Sequence, residues 1–95
     1  MSQYFVYILA SRKHGTLYIG VTNNLSTRLE MHRRGLGSEF VKRYSVHRLV
    51  YVEPYGNAED AIRREKQLKK WNRDWKIRLI EEENLDWQDL SHLIA

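Results

Sequence analysis

Residues 4–24 read YFVYILASRKHGTLYIGVTNN, and the reading of this stretch governs the rest of the chain. Tyr4 to Ala10 is an unbroken run of apolar, β-branched and aromatic residues, the pattern of a strand buried on both faces. Tyr18 to Val21 repeats that character. The intervening SRKHGT has the composition of a hairpin loop, with Gly15 as the residue suited to positive φ. A loop centred between Arg12 and Lys13 sets Tyr7 opposite Tyr18, so that two phenols share one face of the sheet. Asn23 and Asn24 then supply an N-cap for a helix.

That helix carries Leu25 and Leu29 and stops at Gly35, Leu36 and Gly37. A basic, glycine-bearing connection, GSEFVKRYS, leads to a third strand over Val46 to Val52, closed by Pro54 and Gly56. Asn57 caps a second helix that runs to about Trp71. A break near Asn72 separates it from another helix, in which Trp71, Trp75 and Leu79 fall at i, i+4 and i+8. Asp86 begins a last short helix with Trp87, Leu90 and Ile94 on one face. The order predicts an α/β (α+β) domain, a three-stranded antiparallel sheet flanked by helices, over residues 1–95. Its core spans about 4–82, and 83–95 form an acidic C-terminal helix.

At 95 residues, 42% hydrophobic and 29% charged, the composition is that of one soluble globular unit. No apolar run approaches the ~20 residues of a membrane span. The absence of cysteine removes disulfides and thiolate metal ligands and fits a reducing cytoplasm. Net charge is +4 and unevenly placed. Ala61 to Ile80 holds eight Lys and Arg against Glu65 and Asp74, net +6, whereas Glu81 to Ala95 holds five acids and no Lys or Arg, net −5. A basic helical segment of this kind points to an anionic partner such as nucleic acid.

Several polar residues occupy apolar stripes. Arg28 and His32, one turn apart, fall in the stripe of Leu25, Leu29 and Leu36. Glu65 interrupts the stripe of Ala58, Ala61, Ile62 and Leu68. With Tyr7 and Tyr18 they describe a site and not a core. The chain has no Ser-His-Asp pattern, phosphate-binding glycine loop or zinc spacing. One carboxylate suits a mostly hydrated Mg²⁺ or Mn²⁺ whose other ligands come from a phosphate. An Arg fork suits the non-bridging oxygens of a phosphodiester under attack. A structural ion pair between Glu65 and Arg28 accounts for two of the five residues only.

The pair Val6-Tyr7 and, ten residues on, Tyr18-Ile19-Gly20 resembles the GIY-YIG nuclease domain, with FVY standing where GIY would be and Val21 where some branches have a lysine. AIRREKQLKKW, residues 61–71, is similar to the stretch that carries the family's metal-binding glutamate in small stand-alone bacterial members. The resemblance covers roughly residues 4–82. It implies metal-dependent cleavage of a DNA strand by an activated water. Tyr7 and Tyr18 would be the paired tyrosines, one of them the general base, and Gly20 the glycine of close approach. Arg28 would be the transition-state clamp, His32 a phosphate or water contact, and Glu65 the metal ligand. Asn72 is a lesser candidate for the family's late asparagine.

The resulting expectation is a Mg²⁺- or Mn²⁺-dependent DNA endonuclease or nicking enzyme, a DNA-repair type of activity, selective for a structure and not a sequence. The competing reading is a nucleic-acid-binding module that keeps the fold with little or no catalysis. The expected partner is single-stranded, duplex or branched DNA, contacted by Gly20, Lys42, Arg43, Lys66, Lys69, Lys70 and Arg73. Targeting would come from a protein partner, no membrane is involved, and the chain would be a monomer or weak homodimer.

Overall fold

In the computed structural model, which describes residues 3–94, strands β1 (Tyr4–Ala10), β2 (Leu17–Thr22) and β3 (Arg48–Tyr55) form one antiparallel sheet in the order β2-β1-β3. Helices α1 (Leu25–Arg33) and α2 (Glu39–Tyr44) connect β2 to β3, and α3 (Ala58–Lys70) and α4 (Arg73–Glu83) follow. The central strand β1 is buried from Val6 to Ala10, and its alternation divides the core. Val6, Ile8 and Ala10 pack with Ile19, Tyr51, Ala61, Leu68, Ile80 and Trp87 on the α3–α4 side. Tyr7 and Leu9 pack with Leu25, Leu29, Val41, Val46 and Leu49 on the α1–α2 side.

The hairpin register differs from the expected one by two residues. Gly20 lies opposite Tyr7, and Tyr18 opposite Leu9. The loop closes between Ser11 and Thr16, whose backbone atoms bond at 3.0 Å while the Ser11 hydroxyl accepts from the Thr16 N–H at 3.0 Å. His14, not Gly15, takes the left-handed conformation, with φ of 59°. Gly15 is instead buried against Ser11 and Arg12, where a Cβ would collide. A two-residue slip preserves the parity of side chains, so Tyr7 and Tyr18 still share a face, now diagonally.

The connection GSEFVKRYS is helical: Ser38 caps α2 by accepting from the Val41 N–H, and Ser45 ends it in the left-handed conformation at φ 53°. The third strand begins at Arg48, later than expected, and continues through Pro54. This is compatible with an outer strand, where a missing N–H costs no ladder bond. Asn57 and Asn72 cap α3 and α4 by accepting from the N–H of Asp60 and Trp75. Leu36, Ile62 and Trp75, placed on apolar stripes by spacing, are exposed.

The last helix does not form as expected. Beyond Glu83 the chain is irregular apart from one 3₁₀ turn, Ser91–Leu93, and Trp87 is fully buried with φ of 56°. This segment covers the outer edge of β3. The Leu90 N–H donates to the Leu49 carbonyl at 2.8 Å, Asp89 accepts from the Leu49 N–H, and the Asn84 amide donates to the Val50 carbonyl. Sealing an open strand edge explains why part of the acidic end is fixed in place.

Candidate active site

Tyr7, Tyr18 and His32 meet above the α1–α2 face of the sheet. The Tyr7 hydroxyl lies 3.1 Å from His32 Nε2 in a buried hydrogen bond. Ring centroids are 6.3 Å apart for Tyr7 and Tyr18 and 5.4 Å for Tyr18 and His32. Local sequence explains each placement. Thr22 accepts from the Asn24 N–H, and the Asn24 side chain accepts from the Thr27 N–H, which starts α1 immediately after β2. Arg28 and His32 then project one turn apart toward the phenols.

Gly20 makes the arrangement possible. A Cβ at this position would overlap the Tyr7 ring at Cζ and Oη, so the notch is filled by the phenol itself. Gly20→Ala should therefore displace Tyr7 and destabilise the fold by about 1–3 kcal/mol, read as a loss of denaturation midpoint at unchanged m-value.

Burial pushes the Tyr7 phenol up to about 12, reinforced by Tyr18 and opposed by the positive charge of Arg28. Tyr7 thus keeps its proton. His32 is shifted below its ordinary 6.5, first by burial and then by Arg28 and His47, and is neutral. Its Nδ1 is buried without a partner among the described residues. A lone pair is a cheaper orphan than an N–H, which assigns the Nε2–H tautomer: His32 donates to the Tyr7 oxygen. The Tyr7 proton is then left for the side flanked by Tyr18 and Arg28.

The depressed His32 has a consequence for stability. The unfolded chain takes up a proton at this residue near pH 6.5, whereas the folded chain resists it, so its contribution is present above that pH and is lost as pH falls through the folded value. The melting temperature should decline as pH falls below about 6.5, and decline less in His32→Gln.

Glu65 is half-buried on α3 and pairs with Lys69 at 2.9 Å. It does not pair with Arg28, which has no carboxylate within ion-pair distance among the described residues. No group of three His, Asp or Glu lies close enough to hold a metal among the described residues. An ion here would rest on one carboxylate, with water and phosphate completing its shell; that all-oxygen donor set fits Mg²⁺ or Mn²⁺.

The other candidates divide. Lys42 and Arg43 are exposed on α2, and Lys66 and Lys70 on α3. Lys69 and Lys76 line a groove beside Tyr18. Arg73 is engaged elsewhere, donating to the His14 and Gly15 carbonyls at 2.7 and 2.6 Å and so tying the hairpin loop to α4. Sequence reasoning missed Phe40 and Tyr44, exposed aromatics that extend from Tyr18. The signal was their i, i+4 spacing behind Ser38.

One three-stranded sheet thus carries a hairpin, a helix bearing Arg28 and His32 after its second strand, and a helix bearing Glu65 after its third. The family model described as the GIY-YIG catalytic domain matches residues 3–78, and the chain belongs to the GIY-YIG family. Its relatives include UPF0213 proteins from Staphylococcus aureus strains Mu3 and Mu50, each 41% identical over 83 residues, 86% of this chain and 99% of theirs. The solution NMR structure of the UPF0213 protein BH0048 from Bacillus halodurans is similar over 98% of both chains, with a TM-score of 0.58 and 27% identity. No helix of the described residues is long and apolar enough to cross a membrane.

Proposed function

We propose that the protein is a Mg²⁺- or Mn²⁺-dependent endonuclease that hydrolyses a phosphodiester bond in DNA. The observation that carries this reading is the buried Tyr7–His32 hydrogen bond beside Tyr18 and Arg28, a proton-handling set with a guanidinium that no carboxylate neutralises among the described residues. Arg28 presents its fork to the non-bridging oxygens, where negative charge grows in the transition state. Tyr7, fully buried and locked as a phenol, would hold Tyr18 and Arg28 in position and not touch the phosphate itself. Tyr18, half-buried at the mouth, is the tyrosine left to accept the proton of the attacking water. Glu65 would hold the metal ion, which when bound neutralises phosphate charge and polarises the bond under attack. Lys69 and Lys76 bring positive charge to the adjoining groove, and Lys42, Arg43, Lys66 and Lys70 extend it for a polyanion.

The reading is tested by incubating the purified protein with end-labelled single-stranded, duplex, nicked and branched DNA, with Mg²⁺, with Mn²⁺ and with EDTA. Cleavage of at least one substrate in either metal and of none in EDTA is expected. Retardation of every substrate without cleavage of any would leave a binding module.

A further inference from the structure

Helix α2 buries only Val41 and leaves two aromatic rings uncovered, Phe40 at 41% and Tyr44 at 47% exposure. They are not scattered. Tyr18 and Phe40 have centroids 6.1 Å apart with planes inclined by 31°, and Phe40 and Tyr44 are 4.9 Å apart. A continuous rank of rings therefore leads outward from Tyr18. The Arg43 guanidinium lies 5.7 Å from the Tyr44 centroid at its outer end. At its inner end is a groove of about 330 Å³ lined by Leu17, Tyr18, Ile19, Phe40, Lys69 and Lys76, with no carboxylate in the lining.

Flat apolar faces bordered by cations at both ends fit a ligand that is itself flat and apolar in its rings and anionic between them. A nucleotide strand has that alternation. Base pairing and stacking in a duplex hide the faces that such rings would engage, so the occupant must be unpaired. An acidic peptide would satisfy the cations but not the rings.

We propose that Phe40 and Tyr44, with Arg43, form a stacking platform for unpaired nucleobases next to the scissile phosphate, making a single-stranded segment of DNA the substrate. That this strand is cleaved rests on the nuclease reading of the Tyr18 cluster; the platform itself is tested by binding.

Metal-free fluorescence anisotropy of the full chain on three probes isolates the bases from the phosphates: a labelled single-stranded oligonucleotide, the same strand made of abasic sites, and the duplex. Phe40→Ala should weaken the single strand by about tenfold, since stacking on one aromatic is worth about 1–3 kcal/mol. Binding of the abasic strand should change by less than about twofold. Phe40→Trp should restore the single-strand affinity, and Phe40→Leu, which keeps an apolar side chain, should not. A 2-aminopurine placed in the strand should lose fluorescence on binding wild type and lose less on binding Tyr44→Ala. Equal weakening of the normal and abasic strands, or no weakening of either, overturns the platform. So does a concentration-dependent oligomer on size exclusion that Phe40→Ala abolishes, which would assign the rings to protein contact. Phe40 is exposed, and melting temperatures of the variants within about 3 °C of wild type confirm that affinity and not folding is read. Failure of cleavage in Mg²⁺ with these binding results intact would refute the nuclease and leave the platform standing.

Discussion

Glu65→Gln is expected to lower single-turnover cleavage by roughly three orders of magnitude while leaving the melting temperature nearly unchanged. Removal of the charge that holds the ion forfeits several kcal/mol of transition-state stabilisation, and each 1.36 kcal/mol is about tenfold in rate. The structural cost is modest because Gln keeps the size of Glu65, whose side chain is 14% exposed, and the partner is Lys69, an i, i+4 neighbour that is 54% exposed. Such helix pairs contribute about 0.3–0.5 kcal/mol. Had Glu65 been sealed against Arg28, its loss would have cost ~3–5 kcal/mol and damaged folding, binding and cleavage together. Metal-free DNA affinity should be unchanged or slightly higher, since an anion has left a phosphate site. Normal cleavage by a stable Gln variant would remove Glu65 from the metal role.

Tyr18→Phe and Tyr7→Phe should fail differently. Loss of a general base typically costs ~10²–10⁴ in rate, and Tyr18→Phe should fall in this range with stability intact. Tyr7→Phe strips His32 Nε2 of its partner in a residue whose Nδ1 already has none, so the buried imidazole becomes wholly unsatisfied. That should cost about 1–3 kcal/mol of stability in addition to a loss of rate. Chemical denaturation and cleavage measured on the same preparations separate the two. A base role for Tyr7 is disfavoured by its raised phenol, and a Tyr18→Phe enzyme that cleaves at the wild-type rate would return that role to Tyr7 or His32.

Legibility in the sequence followed physical range. Strand β1, the Asn57 cap and the break near Asn72 between α3 and α4 are local signals, and they hold; that Asn72 also caps α4 is added by the structure. The meeting of Tyr7, Tyr18 and His32 was legible because strand parity and helical spacing survive a two-residue slip. The register itself was not, because it depends on a Ser11 side chain bonding across the loop and on His14 adopting a positive φ, which composition assigns to Gly15. Helix α2 was hidden by the glycines that precede it. The last segment was misread because Trp87 packs on the α3–α4 side of the sheet and Leu90 and Ile94 on the α1–α2 side, from an irregular chain tied to the edge of β3, so their helical spacing does not put them on one face. Spacing shows that side chains share a face only where the helix forms, and it does not show what lies opposite. The same gap separates Glu65 with Arg28, the structural alternative that the stripes allow, from Glu65 with Lys69, a pairing already present at i, i+4.

Function turns on whether this cluster performs chemistry or only binds. The direct measurement is the single-turnover cleavage rate of the wild-type protein, in excess over the DNA substrate it binds most tightly, compared between Mg²⁺ and EDTA at matched ionic strength. First-order strand scission in Mg²⁺, none in EDTA, and comparable binding in both are expected. Saturated binding in Mg²⁺ and in Mn²⁺ with the DNA intact, or scission at the same rate in EDTA, would contradict the endonuclease reading.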